Sequence, residues 1–169
     1  MTREELFLLL PKNCVGIECG VKHGKGAGHI LRNLNPKKLI LVDTWKPEER
    51  GDTRYKYVCD QFTAEIASGL VDVIRADCAA VLHLLSLYGP DWIHADFGVN
   101  SYVASVLPGL FSILHPEGYF LVRGYLHENP ANKIAVVIDR LLDGYATEVA
   151  RSEKPVDDTV AILLRKNRW

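Results

Sequence analysis

The sequence predicts a doubly wound α/β domain with a seven-stranded sheet, mostly parallel, carrying an antiparallel C-terminal hairpin strand. Three observations carry this reading. Short apolar runs alternate with amphipathic helical stretches along the chain. The first five strands are each followed by a helix-length segment, which is the crossover that parallel strands require. Only the last two strands lack an intervening helix. At 169 residues the chain has the size of one domain, expected to span 1–169.

The elements follow in order. Thr2 and Glu5 form a capping box for a short N-terminal helix, whose apolar run at 6–10 stops at Pro11. Residues 14–19 (CVGIEC) are the first strand, and a glycine-rich turn follows it. Residues 27–34 read as a helix through Ile30, Leu31 and Leu34, stopped by Asn35-Pro36. Residues 38–43 (KLILVD) are the second strand, and polar 44–52 reads as a loop. Tyr55, Val58, Phe62 and Ile66 make one stripe of a helix over 53–68, with Gly69 as its C-cap. Residues 71–76 are the third strand, and Asp77 caps a helix at 79–87. Residues 91–96 (DWIHAD) are the fourth strand. A helix over 101–114 follows, with Pro108 expected to kink it. Strand five starts at 119–122, a helix covers 131–142, and strands at 147–151 and 159–165 meet at an Asp157-Asp158 turn.

Charge excludes some functions. Twenty basic residues against 21 acidic ones give a net charge of −1, so no global field attracts nucleic acid or anionic membrane. Neither is expected as a partner. No run is long enough to span a bilayer, and Glu4 and Glu5 stand where a signal peptide carries base. Cys14, Cys19, Cys59 and Cys78 contain no Cys-x-x-Cys pair, and three of them lie in or beside apolar runs. A cytoplasmic protein without structural zinc is expected.

The first turn, Glu18-Cys-Gly20-Val-Lys-His23-Gly24-Lys-Gly26-Ala-Gly28, leads from a strand into a helix. Glycines there permit close backbone approach to a ligand, and free N–H groups at a helix start favour anions. Its spacing is not that of G-x-G-x-x-G, and Glu18 sits badly beside a pyrophosphate but accepts from an ammonium. Both points, with the terminal hairpin, argue against a nicotinamide dehydrogenase. Asp43 after strand two can take ribose hydroxyls, and Asp77 after strand three can take an adenine amino group. Acids after three successive strands suit a nucleoside with a cationic amino-acid tail.

E-x-G-x-x-x-G-x-G, followed by LILVD-x-W, IRAD and a strand-four acid, resembles the Rossmann-like class I S-adenosylmethionine-dependent methyltransferases. The stretches Val15-Gly-Ile-Glu18-Cys-Gly20-Val21 and Leu41-Val-Asp43-Thr-Trp45 are similar to those of macrolide-sugar and aminocoumarin O-methyltransferases. The resemblance implies S-adenosylmethionine as cofactor, with Gly20, Gly24 and Gly26 lining its methionine and ribose and Glu18 facing its amino end. Asp43 is implied at the ribose, Thr44 and Trp45 flanking the nucleoside, and Asp77 with the Cys78 N–H at the adenine. His23 lies in the turn, in reach of the same ligand.

The metal-binding acids of that group are not matched. Strand five ends Val122-Arg123-Gly124-Tyr125 where the group has an acidic pair, and strand four runs into Asp96-Phe-Gly-Val-Asn100-Ser101-Tyr102. Metal-free transfer to a small-molecule acceptor, a sugar or natural-product hydroxyl, is therefore expected. Asp96 and His127 are the candidate bases, Tyr102 and Tyr125 the groups that orient an acceptor, and His94 a core residue. The alternative is a non-catalytic domain of the same fold that binds a ligand or a protein. The acceptor pocket is expected from 44–53, 97–101 and 123–130, or from the partner of a homodimer.

Overall fold

The computed structural model describes residues 1–97, 101–125, 133–153 and 160–168. Its seven strands are β1 (Val15–Cys19), β2 (Lys38–Asp43), β3 (Val71–Arg75), β4 (Trp92–Ala95), β5 (Tyr119–Arg123), β6 (Ala146–Arg151) and β7 (Ala161–Lys166). They lie in the order β3-β2-β1-β4-β5-β7-β6. Strands β1 to β5 pair in parallel, while β7 runs antiparallel to both β5 and β6. The expected fold class is the one observed. The terminal pair also closes differently from a hairpin hung on the sheet edge: β7 is inserted between β5 and β6.

Helices cover both faces. On one, α1 (Arg3–Phe7), α2 (Lys25–Leu34) and α3 (Gly51–Gln61) bury Phe7, Ile30, Leu34 and Val58 against Leu39, Leu41 and Trp92. On the other, α6 (Ser101–Ser112) and α7 (Ile134–Leu142) bury Leu107, Leu110 and Ile138 against Ile17, Ile93 and Phe120. The period of two along β1 sends Ile17 and Cys19 to the second core and leaves Gly16 and Glu18 facing the first. The capping box holds α1 as expected, with Thr2 N–H donating to Glu5 Oε2 at 2.7 Å.

Three helices differ from their sequence reading. The stripe at 53–68 is two helices, α3 and α4 (Thr63–Ala67), broken at Phe62. The Thr63 hydroxyl donates to the Cys59 and Asp60 carbonyls, the local competition that weakens a helix interior, and the Phe62 ring turns into the core. The helix after β3 shortens to α5 (Leu82–Ser86), because Asp77 Oδ1 accepts the Ala79 N–H at 2.8 Å and shapes a turn first. The start of α2 lies earlier than expected, with Gly24 left-handed at its N-cap (φ 73°). The Asp157-Asp158 turn lies outside the described residues.

Opposite the strands' C-terminal ends, Lys38 Nζ donates to Asp72 Oδ1 at 2.6 Å, and the Tyr88 hydroxyl donates to Asp72 Oδ2 at 2.8 Å. Burial opposes the Asp72 charge, but these two bonds outweigh it and hold the carboxyl below its ordinary range. Burial and the Asp72 charge push the Tyr88 phenol up to about 12. A phenol raised in the folded state gives stability that is complete below its unfolded value, about 10, and lost as pH rises through the folded one. Wild type is expected to lose its stability advantage over Tyr88→Phe between pH 10 and about 12, followed by urea midpoints across that range.

Gly16 tests the packing. A Cβ there would stand 1.9 Å from Trp92 Cζ2, and the indole is fully buried. Gly16→Ala is expected to destabilise by about 1–3 kcal/mol through overpacking, read as a lower urea midpoint at unchanged slope. An unchanged midpoint would show that the sheet shifts freely there.

Candidate functional site

The chain turns in opposite directions from β1 toward β2 and toward β4, so a crevice opens at the C-terminal ends of these strands. A cleft of about 230 Å³ lies there, lined on one side by Gly20, Asp43, Thr44 and Trp45 and on the other by Asp77, Cys78, Asp96, Phe97 and Tyr102. Eight of the residues singled out from sequence are thus brought together: Gly20, Asp43, Thr44, Trp45, Asp77, Cys78, Asp96 and Tyr102.

Gly20 (φ 87°) is the wedge. Its N–H donates to the Val42 carbonyl at 2.9 Å, and a Cβ would stand 2.2 Å from the Asp96 carbonyl oxygen. Only glycine fits that approach. Asp43 ties the first two turns together: Oδ2 accepts the Lys22 N–H at 2.9 Å and Oδ1 the Trp45 N–H at 3.1 Å. The Trp45 indole N–H returns to the Lys22 carbonyl at 2.9 Å. Trp45 is 3% exposed, so it is a packed wall of the cleft. Arg75 braces the same loop, donating to the Trp45 carbonyl at 2.7 Å and pairing with Asp52 at 2.6 Å.

Asp77 Oδ1 accepts from both the Ala79 N–H and the Tyr102 hydroxyl, leaving Oδ2 without a partner among the described residues. Burial and the Asp77 carboxylate hold the Tyr102 phenol well above its ordinary range, so it stays a donor at neutral pH. The hydroxyl expected to orient an acceptor thus gives its proton to Asp77 while its residue lines the cleft. The Tyr125 hydroxyl likewise goes to Asp139, at 2.8 Å, and not to the cleft. Asp96 pairs with Arg123 at 3.2 Å, both mostly buried. Among the described residues no group of three or more His, Cys, Asp or Glu is placed to hold a metal. Cys19 and Cys78 are free, buried and share a thiol hydrogen bond that, with burial, raises the Cys19 thiol well above its ordinary value.

Four expected ligand residues do not line the cleft. Gly26 packs on Glu18, where a Cβ would stand 2.0 Å from Oε1, and a Cβ on Gly24 would stand 2.8 Å from the Phe62 ring. Their small size is an inter-element packing requirement. His23 lies in a separate groove beside α2. Glu18 is 2% exposed beneath the turn, with His94 Nδ1 3.4 Å from its Oε1. The His94 ring, buried as expected, makes an edge contact with Phe7 at 4.7 Å, and His29 tilts against Phe7 at 5.5 Å. His127 and residues 98–100 lie outside the described residues. Lys46, Gly51 and Phe97 line the cleft from two of the segments expected to form the acceptor pocket, whereas Lys22, Arg54 and Ala76 line it without having been expected to. Gly51 is required by contact, since a Cβ there would stand 1.9 Å from the Trp45 carbonyl oxygen.

This sheet order with a reversed seventh strand, and a cleft at the ends of its first four strands, defines the fold of class I S-adenosylmethionine-dependent methyltransferases. Solved structures of that class superpose over nearly the whole chain. The N-methyltransferase NodS from Bradyrhizobium japonicum WM9 matches at TM-score 0.71 and 16% identity, over 98% of this chain and 95% of that one. Aeropyrum pernix fibrillarin, solved with natively bound S-adenosyl-L-methionine, matches at 0.68 and 19%, over 91% and 67%. The B. subtilis m1A22 tRNA methyltransferase TrmK matches at 0.70 and 14%, over 98% and 65%. No family model matches the sequence, and no curated protein matches it. No helix among the described residues is long and apolar enough to cross a membrane.

The buried Glu18–His94 contact is separable from the cleft. Neither ring nitrogen of His94 makes a hydrogen bond among the described residues, and Glu18 Oε1 is only a 3.4 Å neighbour. His94→Leu removes two unpaired buried polar atoms and is expected to leave the urea midpoint unchanged or raise it by the equivalent of about 1 kcal/mol. A midpoint lowered by about 1 kcal/mol or more would show that the imidazole pairs with the carboxylate.

Proposed function

We propose that this chain binds S-adenosylmethionine in the cleft and transfers its methyl group to an acceptor without a metal. The observation that carries the reading is the placement of Asp43, Asp77 and Asp96 at the ends of β2, β3 and β4 around the Gly20 wedge. The residues fit the group. Asp43, fixed by two backbone N–H donors, keeps lone pairs for a ribose diol. Asp77 Oδ2 serves an adenine amino group, next to the Cys78 backbone. Glu18 Oε2, buried and without a hydrogen bond, supplies negative potential beneath the glycine turn toward an ammonium.

When bound, the donor would supply an electrophilic methyl carbon on a sulfonium, open to displacement by an acceptor lone pair. The protein's part is to hold acceptor and donor in line between Asp96, Phe97 and Tyr102. His127 remains the base proposed from sequence for a weakly acidic hydroxyl. Arg123 neutralises Asp96 and supports a metal-free site.

A sugar or natural-product hydroxyl is the acceptor that the sequence motifs favour. The fold by itself does not select one, since the structures sharing it include a tRNA methyltransferase. The expectation that nucleic acid is excluded is therefore not supported. The Arg123–Asp96 pair favours a second reading, donor binding without turnover, which an acceptor screen separates from the first.

Calorimetry with S-adenosylmethionine, S-adenosylhomocysteine and NAD tests the donor. Micromolar binding of the first two and none of NAD is expected, with Asp43→Ala at least about tenfold weaker, or about 1.4 kcal/mol. NAD binding alone, or no binding of any, would overturn the reading.

A further inference from the structure

The turn and helix after β1 hold a charge imbalance that the net charge conceals. From Val21 to Val42 there is no Asp or Glu, while Lys22, Lys25, Arg32, Lys37 and Lys38 are cationic. Lys38 is neutralised by Asp72. Lys25 and Arg32 share a face of α2 with Gly28, at helical spacing. That face and Tyr57 and Gln61 of α3 bound an open groove of about 390 Å³, which His23 completes.

The groove is built for an anion. A Cβ on Gly28 would stand 3.3 Å from Arg32 Nη1 and 3.5 Å from Gln61 Nε2, so a guanidinium and an amide NH₂ converge over bare backbone. Among the described residues, the side chains of Lys25, Arg32 and Gln61 have no hydrogen-bond or ion-pair partner, and no carboxylate lines the groove. Gly28 is helical, and a Cβ there would meet only flexible side-chain ends. Packing against the core does not demand this glycine; it is buried beneath the Arg32 and Gln61 side-chain ends, which a methyl group would push apart.

The cations also extend past the groove. Lys22, at the head of the same turn, lines the donor cleft together with Lys46. Lys25 to Arg32 is already about 10 Å along the helix, more than one phosphate group bridges. Tyr57 is 55% exposed and offers a ring for stacking. A small anion would use the Arg32–Gln61 floor and leave the rest idle; a chain of phosphates uses all of it.

We propose that this groove binds the phosphodiester backbone of a single-stranded polynucleotide and leads it to the mouth of the donor cleft. That the polynucleotide is also the methyl acceptor rests on the donor reading above; the backbone contact does not.

Fluorescence anisotropy of the whole chain with labelled oligouridylate and oligothymidylate, over a salt series, tests this. Saturable binding of either is expected, the stronger one naming the sugar. The double variant Lys25→Ala, Arg32→Ala is expected to weaken it at least about fivefold and to flatten the log–log salt slope by roughly 0.7 per cation lost. Gly28→Ala is expected to weaken binding while raising the melting temperature, an opposition that a damaged fold would not give. No binding at low salt, variants that bind like wild type, displacement by polyglutamate of equal charge, or binding of inorganic phosphate alone would each overturn the proposal. Calorimetry with S-adenosylmethionine on the same variants should read as wild type. A wild-type chain that binds the donor but no oligonucleotide sinks only this proposal, and one that binds oligonucleotide but no donor sinks only the donor reading.

Discussion

The site depends on the contact between the turn after β1 and the end of β4. Gly20 lies against the Asp96 carbonyl so closely that a single added carbon would collide with it. The Asp96 N–H bonds to the Cys19 carbonyl, and the Gly20 N–H to that of Val42. Those two bonds carry the ladder one residue beyond the strands on either side of β1. From that fixed point the Lys22 N–H reaches Asp43, Asp43 takes the Trp45 N–H, the Trp45 indole returns to Lys22, and Arg75 pins the Trp45 carbonyl. A side chain at position 20 would lift the turn and loosen every bond in that series.

The acids around the crevice are distinguished by their partners. Asp43 and Asp77 are held by backbone N–H groups, which orient a carboxylate without neutralising it. Asp96 is held by a guanidinium, so its end of the cleft carries little net field. Glu18 is sealed under the turn with His94. The carboxylates of Asp43 and Asp77 therefore have no cationic partner among the hydrogen bonds and ion pairs described, whereas that of Asp96 is balanced. A divalent cation at the Asp96 end would have to compete with the Arg123 guanidinium.

Strand positions were legible because both faces of a parallel sheet are buried, and runs such as KLILVD admit no other use. Asp43 and Asp96 were legible for the same reason, each being the first polar residue after a buried stretch. What pattern could not show is contact between residues far apart in the chain. Tyr102 and Asp77 lie on different elements, so no local spacing announces their bond. The split at Phe62 came from a hydroxyl competing for backbone carbonyls, which an apolar stripe does not register. The insertion of β7 beside β5 is a choice of neighbour, and a hairpin signal leaves that choice open.

The glycines of the first turn show why a motif is coarser than the forces beneath it. Glycine in a helix costs about 0.5–1 kcal/mol relative to alanine, so each one needs a cause. Gly24 has a left-handed backbone and a phenyl ring against it; Gly26 has a carboxylate oxygen where its Cβ would be. Neither cause involves a ligand, although both residues fall within the ligand motif. Gly28 has neither cause, and what lies over it is a pair of unpaired N–H donors. One helix start thus serves the core on its Ala27–Ile30–Leu34 face and the cleft through the turn before it, and by the proposal above it serves an anion on its outer face. The spacing of glycines in the sequence is the sum of three separate requirements, and only the turn at Gly20 touches the donor cleft.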